Sequence, residues 1–187
     1  MRKYRAWLHS LGMRIRYRLG LAQRGRTGGD EAQAGMKFEG AATIRTRGFF
    51  EHIRDGKVIG TREVVNEVVT DTGVAYIVDA FQDLAELENM KYHAFGTGAV
   101  AADKTDAGLG AEVATRATGT TEGGASAWIY KTVGTVTFAG AFAITEHGVF
   151  SAAVAGVMID RHVFAAINVV ATDQIQGTYE FTITSGS

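Results

Sequence analysis

The chain has no cysteine and no proline among its 187 residues. Without thiols it can form no disulfide, no thiolate zinc site and no cysteine nucleophile, so packing, hydrogen bonding or association must hold it together. Without proline, the making of turns falls to 24 glycines, which accept positive φ at little steric cost. No apolar run approaches the roughly 18 to 20 residues needed to span a bilayer. Arg14, Arg16 and Arg18 interrupt the apolar stretch that a secretory leader would need, so synthesis in the cytoplasm is the expectation.

The first 26 residues also lack acids, while holding eight bases: Arg2, Lys3, Arg5, Arg14, Arg16, Arg18, Arg24 and Arg26. The whole chain has 19 basic and 20 acidic residues, so 11 bases face 20 acids in the remainder, and the overall charge of -1 conceals the split. Segregated charge is a signature of interaction and says nothing about fold. Tyr4, Trp7, Leu8, Leu11, Ile15 and Leu19 recur at steps of three and four, the spacing of one face of a helix, with Arg2, Arg5, Arg14 and Arg16 mostly elsewhere. Gly12 and Gly20 each weaken such a helix by about 1 kcal/mol relative to Ala, so it is expected to order against a partner. The resulting division is an amphipathic basic arm over 1–26, a glycine-bearing linker over 27–35 and a β domain over 36–187.

In that domain the period changes to two. Lys37 to Arg47 and Phe49 to Arg54 read as strands, and Asp55-Gly56 suits a type I′ turn, in which both central residues need positive φ. Lys57 to Val69 reads as the returning strand. Val74, Ile77, Val78, Phe81 and Leu84 then share a helical face, which predicts one helix from about Val74 to Leu87 with Thr70 or Asp71 as its cap. Further strands are expected over Tyr92–Phe95, Glu112–Thr118, Trp128–Phe138, Ile144–Phe150, Val157–Val170 with a break near Arg161, and Gly177–Thr184. Eight or nine short strands with glycine turns imply a mainly β fold, an antiparallel sandwich or barrel.

No catalytic motif stands out. Phe95-Gly96-Thr97-Gly98 lacks the third glycine of a dinucleotide fingerprint and the lysine of a phosphate loop, and reads as a strand-ending turn. Asp103, Asp106 and Gly108 lack the ligand spacing of a calcium loop. Glu146 and His147 are neighbours on a strand and point to opposite faces, so they cannot converge on one substrate atom; a surface Glu beside a partly buried His is the expectation. His9, His52, His93, His147 and His162 show no metal-binding spacing, and no serine sits in a nucleophile elbow. The arm could lie on lipid, contact nucleic acid phosphates, fold onto its own domain, or dock its apolar stripe in a protein groove with its arginines on carboxylates. The acidic domain disfavours nucleic acid, and docking on protein is the preferred reading.

From Phe49 onward the order of short phrases resembles small structural proteins from the virion gene clusters of tailed bacteriophages. The phrases are Ile53-Arg54-Asp55-Gly56-Lys57; Asn66 with Val68-Val69-Thr70-Asp71-Thr72-Gly73; and Ile77-Val78-Asp79-Ala80-Phe81. A loop follows with Gly96-Thr97-Gly98, Ala102-Asp103, Asp106, Leu109, Glu112 and Arg116. The pattern closes on Phe142, Ile144-Thr145-Glu146, Gly148-Val149-Phe150, Met158, Arg161, Phe164, Ile167 and Val169. The arm is not part of it. The resemblance implies a non-enzymatic protein without cofactor or metal that decorates a capsid or builds a collar, fibre base or tail part.

With that resemblance, the expected product is a capsid decoration or cement protein. It would be assembled into the virion in the host cytoplasm, bound to the major capsid protein or other virion proteins, and self-associated as a trimer. Neither a membrane nor nucleic acid is an expected partner. Arg2, Arg5, Trp7, Leu8, Leu11, Arg14, Ile15 and Arg16 would form the anchoring interface. A tail, collar or fibre component with a carbohydrate-binding module is the rival, for which Trp128, Tyr130 and Tyr179 would supply stacking faces.

Overall fold

The two-residue alternation becomes two antiparallel five-stranded sheets whose apolar faces share a core. The computed structural model describes residues 42–65, 67–85 and 90–185, all within the unit Phe38–Ser187. The arm and linker, including all eight proposed anchoring residues, therefore lie outside the described residues, as do the expected strand start at Lys37 and helix end at Leu87.

The first sheet has the order β2 (Lys57–Val65), β1 (Thr43–Arg54), β10 (Gln174–Thr184), β7 (Ile129–Thr137), β6 (Thr120–Gly123). The second has the order β3 (Val68–Val69), β9 (Met158–Val169), β8 (Phe142–Phe150), β4 (Tyr92–Gly96), β5 (Glu112–Thr118). Phe50, Val136 and Ile175 from the first sheet meet Phe95, Ile144 and Ile167 from the second in the main apolar cluster. A smaller cluster of Ala94, Phe150 and Met158, with Tyr92 and Leu109 packed against it, lies under the loop that follows β4.

Several boundaries differ from the sequence reading. The two strands expected on either side of Gly48 are one strand, β1, because Gly48 serves close packing: a Cβ there would stand 2.7 Å from Phe50 Cζ and 2.8 Å from His162 Nδ1. The expected strand Lys57–Val69 divides between sheets, since β2 pairs with β1 whereas Val68 and Val69 pair with Arg161 and Asp160 of β9. β6 has no counterpart in the sequence reading; its Thr-Thr-Glu-Gly is exposed throughout and has no apolar alternation, and its ladder comes from β7. β9 runs through Arg161 as one strand, but its pairing with β8 shifts register twice, between Ile144 and Glu146 and again between Gly148 and Phe150, the second beside Arg161 where the break was expected.

The turn chemistry follows the sequence more closely. Asp55 and Gly56 both have positive φ, 50° and 71°, as a type I′ turn requires. Helix α1 (Asp71–Phe81) starts at Thr70, whose hydroxyl accepts the Gly73 N–H at 3.0 Å. It stops before the expected Leu87 because Asp83 turns left-handed at φ 58°, and the Asp83 and Leu84 N–H groups return to the carbonyls of Ala80 and Asp79. Phe81 and Leu84, two of the residues read as sharing one helical face, are 85% and 72% exposed.

Candidate functional site

Two polar clusters lie on opposite faces of the second sheet, and the strand pairing explains how. Glu146 and His147 point apart, as alternation requires. Both are nonetheless fully buried, contrary to the expected surface Glu and partly buried His, because a loop covers one face and the first sheet covers the other.

On the loop side Glu146 organises the chain between β4 and β5. Its carboxylate accepts N–H groups from Gly98 at 2.8 Å, Gly110 at 2.9 Å and Ala111 at 2.8 Å. Arg161 Nε donates to Oε2 at 2.8 Å, with Nη2 at 2.7 Å from the same oxygen. Burial opposes the charge, but three backbone donors and a guanidinium outweigh it and hold the carboxyl below the usual Glu range. Arg161 also reaches Asp106 Oδ2 at 2.9 Å, the oxygen that accepts the Asp103 N–H. Gly98 is needed for this approach, since a Cβ there would stand 2.5 Å from Oε1 of Glu146. The Gly96-Thr97-Gly98 segment thus ends a strand and wraps an anion supplied by the protein itself. The Asp106 carboxylate is engaged by Arg161.

On the opposite face three imidazoles form a row inside the molecule. His93 Nδ1 lies 3.1 Å from His147 Nε2, and His147 Nδ1 lies 3.4 Å from His162 Nδ1, with the last two rings only 9° from parallel. At one end His93 Nε2 is 3.4 Å from Thr132 Oγ1 of β7; at the other, His162 Nε2 is 3.1 Å from Asp160 Oδ2. Thr132, the histidines and Asp160 have no exposed surface. Burial lowers His93 to about 4 and, with the neighbouring imidazoles, puts His147 well below its ordinary value. Across the interface Tyr179 of β10 faces Asp160; burial and that carboxylate push its hydroxyl well above the usual range. Sequence spacing could not find this row, because its members come from separate strands.

A third cluster closes the turn before β10. Asp173, fully buried, accepts from Arg54 at 2.7 and 2.8 Å and from the Val170 N–H at 2.9 Å, with His52 Nε2 at 2.8 Å. Arg54 above all, with the other two donors, holds its carboxyl far below the usual range despite burial.

Trp128, Tyr130 and Tyr179, the candidate stacking residues, border one apolar groove of about 590 Å³ beside α1. They do not form a platform. Tyr179 is fully buried and Tyr130 donates its hydroxyl to the Met90 carbonyl at 2.9 Å, which leaves Trp128 as the exposed ring at 65%. Residues 86–89, next to Met90 on the groove's rim, lie outside the described residues.

Comparison with family models, curated proteins and solved structures finds no match to this chain. No helix among the described residues is long and apolar enough to cross a membrane.

Proposed function

We propose that this chain is a non-enzymatic structural protein of a tailed-phage virion, a capsid decoration or cement protein. In this reading a β-sandwich domain associates with copies of itself, as a trimer, and residues 1–26 anchor it to the major capsid protein. Arg2, Arg5, Arg14 and Arg16 would meet carboxylates of the shell while Trp7, Leu8, Leu11 and Ile15 fill an apolar groove. Tethering several arms in one oligomer raises the effective concentration at the particle and so the strength of attachment.

The observation that carries this reading is the work done by the residues on which the resemblance rests. Asp55-Gly56 makes a hairpin turn. Thr70 caps α1 and donates to the Met158 carbonyl at 2.7 Å. Gly98, Asp106, Glu146 and Arg161, from phrases up to 63 positions apart in the chain numbering, meet in one clamp. Arg116 binds Glu112 and the carbonyls of Ala152 and Ala155, with its guanidinium 3.5 Å from the Phe150 ring centre. Phrases that build a scaffold support a protein whose task is to be a scaffold.

Exposed Trp128 keeps a second reading in view, a tail, collar or fibre component with a carbohydrate-binding face. Copy number separates the two. Quantified gel bands of purified particles should show hundreds of copies for decoration, and a few for a tail part. Protein lacking residues 1–26 should fail to join particles stripped of it; unchanged binding would remove the arm as anchor.

A further inference from the structure

The groove beside α1 is lined by side chains of that helix and of β7, β9 and β10. The helix leans on β9 through one side only. Gly73 lies against Ile159, and Ile77 packs on the cluster of Val149, Ile159 and Tyr179. Val74, Val78 and Phe81 recur at steps of four and three along the flank of that side, and all three are exposed. Phe81 is also on the rim of the groove, together with the exposed side chains of Trp128 and Ile183. An apolar stripe left open beside an apolar groove marks a contact surface.

Charge decides what can cover it. The sequence from Asp71 to Met90 has no Lys or Arg. Asp71 is engaged by Lys104 and the groove residue Glu122 by Lys131, whereas Asp79 and Asp83 have no ion pair among the described residues. Asp79 follows Tyr76, another groove residue, by three positions and so shares its side of the helix. Two such faces set against each other would bring carboxylate to carboxylate, which opposes pairing of the face with itself. The complement is a segment with apolar residues at helical spacing, many bases and no acid.

Residues 1–26 have that composition: eight bases, no acid, and Trp7, Leu8, Leu11 and Ile15 at steps of one, three and four. We propose that in the free protein the groove of one copy holds residues 1–26 of a second copy. The apolar residues of the arm cover Phe81, Trp128 and the open stripe of α1, and its arginines neutralise Asp79 and Asp83. The inference rests on the self-association in the reading above, for which it supplies the interface. The described chain begins close by, since Ile44 near the start of β1 pairs with Ile183 on the groove's rim. The 15 residues of 27–41 span at most about 50 Å, enough to reach a copy alongside. A contact between one surface and a different surface of the next copy closes into a ring, as a trimer requires. One apolar stripe cannot fill two grooves at once, so a shell and a neighbouring copy compete for it.

The test is sedimentation of the full chain over a range of concentrations, with two double variants. Phe81→Ser with Trp128→Ser spoils the groove; Trp7→Ser with Leu11→Ser spoils the arm. Phe81 and Trp128 are exposed, so the groove variant should keep the native urea midpoint. Each variant alone should need about tenfold or more protein than the native chain to associate, as expected when aromatic anchors are truncated. In an equal mixture the groove variant still offers an arm and the arm variant still offers a groove, so a one-to-one pair should form, and added salt should weaken it. Oligomers as strong in both variants as in the native chain would overturn the inference and leave self-association standing, through another face. A native chain that stays monomeric throughout would overturn both. Variants that dissociate yet form no pair when mixed would also overturn the inference, because arm and groove would then not meet each other.

Discussion

Gly134 of β7 and His93 of β4 are matched across the sheet interface: a Cβ on the glycine would stand 2.5 Å from the imidazole Cδ2. The missing side chain makes the room in which the histidine row sits.

Gly134→Ala should therefore destabilise the domain by about 1 to 3 kcal/mol, the range for overpacking a well-filled interior. His93→Ala alone leaves a cavity and should also destabilise. The double variant should lose less than the two single losses added together, since the new methyl occupies space the ring vacated. Urea unfolding of the four proteins measures the coupling, and simple additivity would mean that the two residues do not share that space.

Glu146→Ala strands Arg161 beside three backbone N–H groups that have lost their acceptor. Breaking a buried pair in this way costs about 3 to 5 kcal/mol. Hydrogen exchange gives a local signature, with the amides of Gly98, Gly110 and Ala111 losing protection ahead of those in β1 and β10. Glu146→Gln retains an oxygen acceptor and should fall between the variant and the native protein.

Acid should weaken the fold in two stages. Folding lowers His93 and His147 below 6.5, so between that value and their folded values the unfolded chain binds more protons than the native one. Stability is then full above about pH 6.5 and falls as the pH drops, approaching about 1.4 kcal/mol per pH unit for each histidine. The His93 share levels off near 4. Glu146, Asp106 and Asp173 are also lowered, so their contribution is present above the ordinary carboxylate range and is lost as pH falls below it. Urea midpoints from pH 7.5 to 3.5 trace both stages, and His93→Gln should flatten the first.

Thr70→Ala removes the cap on α1 and the hydroxyl bond to the Met158 carbonyl together. The expected loss is about 1 to 2 kcal/mol, and Thr70→Ser should recover most of it. Gly73→Ala, one turn into the helix, should be damaging for another reason: its Cβ would stand 2.7 Å from the Ile159 carbonyl oxygen. Circular dichroism with urea unfolding separates a frayed helix from a displaced one.

Local chemistry is legible in the amino-acid order. Asp55-Gly56 suits a tight turn of one kind, Thr70 has the side chain a helix start needs, and the alternation in Thr178 to Ile183 marks a strand, because each is decided by neighbours along the chain. Gly48 misleads for the same reason: in sequence it looks like a strand break, yet its role depends on Phe50 and on a histidine more than a hundred positions away. Leu84 misleads because periodicity names a face without showing where the helix stops.

The amino-acid order alone determined the segregation of charge, the mainly β character and the turns, all of which depend on short-range sterics and composition. Tertiary structure decided the rest. Only the pairing of β8 with β9 sets Glu146 on Arg161 and His147 on His162, and only the approach of the first sheet brings Thr132 and Tyr179 to the two ends of the row. Those contacts join residues distant in the chain, and their energies depend on burial, which no residue possesses until the sheets have closed over it.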